Sequence, residues 1–298
     1  MTAPALFLPQ PPDTDTDTDP SLQQRTLLLP SEYSRSVWSL DLVHGAATAA
    51  LLARTAEQAV RPDLRIVRLT IDLMRPVPLE MLEARAVVVR DARRIQVVQS
   101  GLFLARGDDE VEVGRATALA MWQSDLPTRG TLAIDAAQPP DPESLPHRPI
   151  KVAGDGQAYH SSIEWRPSTE WPSQERPTLW IRNPTQIVPG EPLSPVARAV
   201  ATADALSPLA NIAPAFGADG MGFINADITL YLHRHPTDEW LCVVATSRQG
   251  GDGFAISDGA LYDRSGPVGR IALASLAQTQ RPLAIETPLT GTSLTETP

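Results

Sequence analysis

Arg68–Pro78 (RLTIDLMRPVP) and Phe223–Pro236 (FINADITLYLHRHP) echo each other, each an alternating strand closed by arginine near proline. Each also follows an alanine-rich helix at the same distance. Arg75 lies 30 residues beyond Gly45, and Arg234 lies 30 residues beyond Asp204, so both pairs are offset by 159 positions. A helix-then-strand unit repeated at about half the chain length predicts two copies of one domain. The copies are chemically unequal, because Gly45 stands in the first where Asp204 stands in the second.

The 298 residues suit two domains of about 130 residues, or one large one. Hydrophobic residues make up 42% and charged residues 20%, ordinary for a globular chain. A net charge of −10 argues against a nucleic-acid partner, since phosphate contacts need a Lys/Arg surface. A few local arginines still suffice to hold the phosphates of a small ligand. Cys242 is the sole cysteine, which rules out an intrachain disulfide; in the run WLCVVA it reads as a small buried residue. No apolar run approaches the ~18–20 residues that a membrane span needs. The start MTAPALFLPQPP lacks the basic region and apolar core of a signal peptide, and the expected location is cytoplasmic.

Residues 1–24, with their prolines and the tract DTDTDTD, predict a disordered tail. Residues 284–298, rich in Thr and Pro, predict a flexible one, and the Pro- and Asp-rich residues 125–155 a linker. An N-terminal domain at 25–124 and a C-terminal domain at 156–283 remain. The first predicts a strand near Tyr33–Leu40 and a helix over Ala46–Ala59, apolar until Arg54 and so buried on most sides. Strands follow at Arg65–Leu73, Met81–Arg90, Arg94–Arg106 and Glu112–Trp122, the last two joined by a turn at Gly107-Asp108-Asp109. The second predicts strands at Tyr159–Arg166 and Pro177–Arg182, then a helix over Ser194–Leu206 with Pro195 in its first turn. Strands at Ile224–Leu232, Trp240–Ser247, Phe254–Tyr262 and Val268–Leu276 complete it. Alternation puts Ala226, Ile228, Leu230 and Leu232 on one face, and Asn225, Asp227, Thr229, Tyr231 and His233 on the other. A long helix followed by an antiparallel meander, twice, predicts an α+β fold: two tandem antiparallel sheets, each wrapped around a central helix.

Leu179–Arg182, Ala203-Asp204, Gly220–Phe223, Leu232–Arg234, Glu239–Leu241 and Asp258–Asp263 with Gly266, taken in order, resemble the acyl-CoA thioesterases of the double hotdog type (thioesterase II-like). HGAATAALLA and LMRPVP extend the resemblance to the first half, so that it spans about Ser31 to Arg281. It implies hydrolysis of acyl-CoA to free acid and CoA, with no cofactor and no covalent intermediate. It also implies a polar trio that orients a water: an Asp on the second central helix, a Thr or Asn on the next strand, and a Gln on the last. Asp204 matches the first, and Asn225, nine residues before Arg234, matches the second. The chain departs at the third. The family's Gln falls near Ala277, and Gln278 beside it fills the role only if the strand carries a bulge or the register shifts by one. By the same resemblance homo-oligomers are common; His44 and Gly45 are candidates for binding the substrate at the acyl-CoA entrance.

The residues carry their own arguments. Asp204 sits in an otherwise apolar helix, ARAVATADAL, where an unpartnered carboxylate would cost several kcal/mol; it needs hydrogen bonds or a task, unless it caps a turn or faces solvent. Asn225 begins a strand, a disfavoured place for asparagine, and reads as functional or as a turn cap. His44 caps the first helix or lines the entrance. Arg75 and Arg234 are candidates for CoA phosphates, or ordinary strand-end arginines. His233 and His235 lack a third ligand, so no metal site is expected. No G-x-S-x-G or G-x-G-x-x-G occurs. The competing reading is an acyl-CoA binder that kept the fold and lost the Gln. A dehydratase of the same fold would want a His within the second helix, where none stands.

Overall fold

Apolar residues at every second strand position demand a sheet with one dry face, and the alanine-rich helices are thin enough to lie close against it. The structure, a computed structural model, describes residues 4–11, 24–106, 109–124, 126, 138–149, 156–168, 176–215 and 222–278. The elements run β1 (Phe7–Gln10), β2 (Gln24–Pro30), α1 (Gly45–Ala59), β3 (Leu64–Asp72), β4 (Leu82–Ala92), β5 (Ile95–Arg106) and β6 (Asp109–Trp122). Then come β7 (Glu164–Pro167), β8 (Thr178–Arg182), α2 (Pro195–Ala203), α3 (Leu206–Ala215), β9 (Gly222–Asn225), β10 (Asp227–Leu232), β11 (Trp240–Gly251), β12 (Phe254–Asp263) and β13 (Gly266–Gln278).

The two sheets expected from the repeat are one. Thirteen strands join in the order β1-β2-β4-β5-β6-β3-β10-β13-β12-β11-β8-β7, with β9 beside β13. Strands β3 and β10 close the gap between the halves, pairing antiparallel with Thr70 opposite Thr229. These threonines are 159 positions apart, the offset of the repeat, so they mark the centre of an approximate two-fold relation between the strands. Pairing them removes the open edge that each half would otherwise expose.

The helices do not follow that offset. α1 begins at Gly45, whereas α2 ends at Ala203 with Asp204 as its C-cap, so Gly45 and Asp204 are not counterparts. The matching positions are the N-caps, His44 and Ser194. The mismatch comes from α3, a helix that the repeat did not predict, inserted between α2 and the strands. Pro208 explains why the helix predicted to run to Leu206 stops early: it has no N–H to give the carbonyl of Asp204 four residues before it, and its ring crowds that carbonyl.

α1 packs on β3 to β6 and on α2; α2 packs on β10 and β11, and α3 on β9 and β11 to β13. Leu51 and Leu52 of α1 are fully buried, each stabilising the fold by about 2 kcal/mol. Cys242 is buried in a separate apolar cluster with Trp180, Trp240 and Tyr262. Among the described residues no helix is long and apolar enough to cross a membrane.

Several local expectations are refined. The N-terminal segment is not all tail: Ala5, Leu6 and Phe7 are buried, and β1 pairs with β2. Tyr33–Leu40 is not a strand, because serine hydroxyls capture the local backbone there: Ser34 Oγ donates to Ser31 O at 2.7 Å, and Ser36 Oγ accepts from Trp38 N at 3.2 Å. A 3-10 turn at Tyr159–Ser162 replaces the first half of the strand expected over Tyr159–Arg166. Within the expected linker, residues 140–145 touch the second half of the sheet, with Trp180 Nε1 donating to Pro140 O at 2.8 Å and Leu145 buried beside it. The DTDTDTD tract, the pair Gly107-Asp108 and residues 284–298 lie outside the described residues.

Candidate active site

The break between α2 and α3 places Asp204 where a second helix begins. α1 starts beside it, with His44 as N-cap. Gly45 leaves the space between them open: a Cβ there would meet Asp204 Oδ1 at 3.2 Å. Asp204 is 8% exposed. Its carbonyl, which Pro208 cannot serve, accepts from Asn225 Nδ2 at 3.2 Å, and the same nitrogen donates to Asp204 Oδ1 at 2.7 Å.

Asn225 reaches Asp204 because of a bulge. In β10 Thr229 pairs with Ala272, but in β9 Asn225 pairs with Ser275, one residue out of step. The extra residue is Ala226. Strict alternation would set Asn225 with Thr229, away from the core; the bulge turns it to the side of Ile228, which is fully buried. The predicted face of Asn225 is thereby corrected. Asp227 holds the irregularity, its Oδ1 accepting from Ala274 N at 2.6 Å while Ala226 N donates to Ala274 O at 2.9 Å.

Ser275, opposite Asn225 in the ladder, donates from Oγ to Asn225 Oδ1 at 3.3 Å, and Ser207 Oγ lies 3.2 Å from Ser275 Oγ. Neither serine was singled out by the sequence. Only the pairing of β9 with β13 brings Ser275 to a partner 50 positions away.

Burial pushes the Asp204 carboxyl up to about 6, against the pull of the Asn225 amide and of the Ala46 N–H. Burial pushes His44 down to about 4. His44 Nδ1 accepts from Ala46 N at 3.0 Å, so the ring is neutral with its proton on Nε2. The 3.6 Å approach of His44 Nδ1 to Asp204 Oδ2 is therefore no ion pair. Tyr159 stacks on His44 at 4.6 Å between ring centres, and His160 meets the His44 ring edge-on at 4.7 Å. His160, which the sequence left uninformative, stacks in turn on Trp165 at 5.3 Å.

The other candidates lie elsewhere. Gln278 pairs with Gly222, three residues along β13 from Ser275 with no break in register, so it projects from the opposite face. Arg75 is exposed. Arg234 is engaged by the fold: its guanidinium makes two bonds to Asp263, at 2.7 and 2.6 Å, and gives its other three donors to the carbonyls of Pro267, Gly266 and, at 3.5 Å, His235. All five of its donors thus face protein acceptors among the described residues.

Two family models match in tandem, the acyl-CoA thioesterase N-terminal domain over residues 34–121 and the C-terminal domain over residues 134–272. Among solved structures, a conserved protein of unknown function with a hot dog fold from Alicyclobacillus acidocaldarius is 17% identical, covering 86% of this chain and 95% of its own, with a TM-score of 0.65. The tesB protein of Mycobacterium avium subspecies paratuberculosis is 16% identical, covering 86% and 96%, with a TM-score of 0.62. An acyl-CoA thioesterase II from Mycobacterium marinum is 15% identical, covering 86% and 95%, with a TM-score of 0.58. No curated protein matches the sequence.

Proposed function

The chain belongs to the acyl-CoA thioesterase family and is a thioester hydrolase, and from that premise we propose that Asp204 directs a water onto the thioester carbonyl of an acyl-CoA. The observation that carries this is a buried carboxylate, held by Asn225 at Oδ1 and set across Gly45 from the first turn of α1. With Oδ1 occupied, Oδ2 receives the water. Water oxygen bonds to the carbonyl carbon as its proton passes to Asp204, which gives a tetrahedral oxyanion. The positive end of the α1 dipole and the first-turn N–H groups other than that of Ala46, which His44 holds, stabilise that charge; one well-placed donor is worth about 3–4 kcal/mol. The intermediate collapses, the C–S bond breaks, and the CoA thiolate takes the proton from Asp204. The acid is regenerated as a carboxylate and no covalent intermediate forms.

In this reading the chain is a double hotdog, with α1 as the central helix of the first half of the sheet and α2 with α3 that of the second. The ring stack of Tyr159, His44 and His160 forms one wall beside the reacting carbonyl. The test is release of free thiol from a panel of short- to long-chain acyl-CoAs by the full chain, beside Asp204→Asn. Hydrolysis that disappears in the variant supports the assignment. Equal hydrolysis by both proteins would rule out Asp204 as the base. No release from any substrate, with acyl-CoA still raising the melting temperature, would mean a binder.

A further inference from the structure

We propose that Ser275 is a positioning residue for this site: its hydroxyl holds Asn225 Oδ1 and thereby keeps the amide nitrogen on the Asp204 carboxylate. The inference rests on Asp204 acting as the base. Asparagine can turn either end of its amide toward a neighbour, and only the hydrogen-bond network decides which. Three contacts decide it here. Asp204 Oδ1 and the Asp204 carbonyl both accept from Nδ2, at 2.7 and 3.2 Å, and Ser275 Oγ donates to Oδ1 at 3.3 Å. Ser275 is 1% exposed, so its hydrogen goes to a protein partner rather than to bulk water. Ser207 Oγ lies 3.2 Å from the same hydroxyl.

The consequence is electrostatic. A protonated Asp204 would be best served by the amide oxygen, and an ionised one by the amide nitrogen. By anchoring the oxygen elsewhere, Ser275 denies the protonated acid its partner and keeps the base available at lower pH.

The test is the pH profile of acyl-CoA hydrolysis by full-length Ser275→Ala, Ser275→Thr, Ser207→Ala and Asp204→Asn beside the parent. Ser275→Ala is expected to move the acid limb of kcat up by about half a pH unit or more. Its rate then falls about threefold on that limb and stays within about twofold of the parent above it, with KM unchanged. Ser275→Thr, which keeps the hydroxyl, restores the limb, and Ser207→Ala moves it less in the same direction. A merely structural serine would lower the rate at every pH and leave the limb in place, which overturns the proposal. If Ser275→Ala does not fold, Ser207→Ala decides alone, an unmoved limb counting against. Asp204→Asn separates the two readings: if it is inactive and the serine limbs do not move, only Ser275 loses its role. If it is as active as the parent, both readings fall.

Discussion

Gly45 and Asp204, far apart in sequence and on different helices, face each other so closely that a methyl group on Gly45 would stand 3.2 Å from Asp204 Oδ1. That distance is tight contact, and a carboxylate held at 2.7 Å by Asn225 has little freedom to yield. Gly45→Ala is therefore expected to displace Asp204 by a few tenths of an ångström. Misplacement of a reacting group by about 1 Å costs about a hundredfold, so a loss of about tenfold in kcat is the outcome to look for. The fold should tolerate the change, since alanine favours the helix that begins there. A kcat unchanged in Gly45→Ala would show that the two residues do not cooperate in the reaction.

Asp204→Asn should remove activity and add stability. Loss of a carboxylate that activates water costs about 10²–10⁴ in kcat. The stability effect follows from the raised acidity constant. Unfolded, the group titrates near 3.8; folded, burial holds it protonated up to about 6. The folded chain thus binds the extra proton between those values, and stability falls as pH rises through that window. At pH 8 the parent carries the whole penalty, about 1–3 kcal/mol, and the neutral amide does not. Melting curves at pH 8 should place the variant above the parent, with the gap closing toward pH 4. A variant less stable than the parent at pH 8 would contradict the burial argument.

The bulge at Ala226 yields a separate prediction, because a single side chain holds it. Asp227 Oδ1 accepts from Ala274 N at 2.6 Å. Burial raises the Asp227 carboxyl above its usual range, with the hydrogen bond from Ala274 pulling the other way and the charge of Asp72 adding to the rise. Asp227→Ala leaves the Ala274 N–H without its acceptor at about 1–3 kcal/mol, and lets β9 fall into step with β10. In step, Asn225 points away from Asp204. The expected result is a loss of kcat comparable to that of Asn225→Ala, although Asp227 lies outside the reacting centre. Full activity in Asp227→Ala would mean that the backbone holds the bulge without it.

How much of this was legible in the residues differs from element to element. The strand repeat was, because Thr70 and Thr229 pair at the offset that the sequence shows. Asp204 stood out as a carboxylate among alanines and valines. The assumed equivalence of Gly45 and Asp204 failed because counting residues from a strand to a helix takes no account of α3 between them. Pro208 was the visible signal for that break. The bulge was invisible: a period of two has no mark for an extra residue, so Asn225 was set on the wrong face and Ser275 had no reason to be noticed. The bonds of Arg234 to Asp263 were not legible either, because an arginine at a strand end looks the same whether an aspartate or a phosphate receives it.

The last prediction lies at the opposite ends of the same helices. α1 and α2 run antiparallel, so the C-terminal turn of α1 meets the N-terminus of α2, and there Ser194 Oγ donates to Glu57 Oε2 at 2.6 Å while accepting from Ala197 N at 3.0 Å. A cleft of about 250 Å³ opens beside them, walled also by Arg54 and Glu191. Arg54 is bonded to Glu191, at 2.6 Å through Nε, and so does not neutralise Glu57. Burial pushes the Glu57 carboxyl up to about 7, the Ser194 hydroxyl pulling the other way. The folded chain holds this proton from about 4.5, where the unfolded group titrates, to about 7, so its contribution to stability is present below that window and lost as pH rises through it. Glu57→Gln keeps the shape and an acceptor for Ser194, and it carries no charge. Its melting temperature should match the parent at pH 4.5 and exceed it at pH 8, with the change centred closer to neutrality than for Asp204→Asn. Because Glu57 is remote from the reacting carbonyl, kcat at pH 8 should not change. A melting-temperature difference independent of pH would show that Glu57 titrates alike in the folded and unfolded chain, and a lost kcat would tie this end of the helix pair to the reaction.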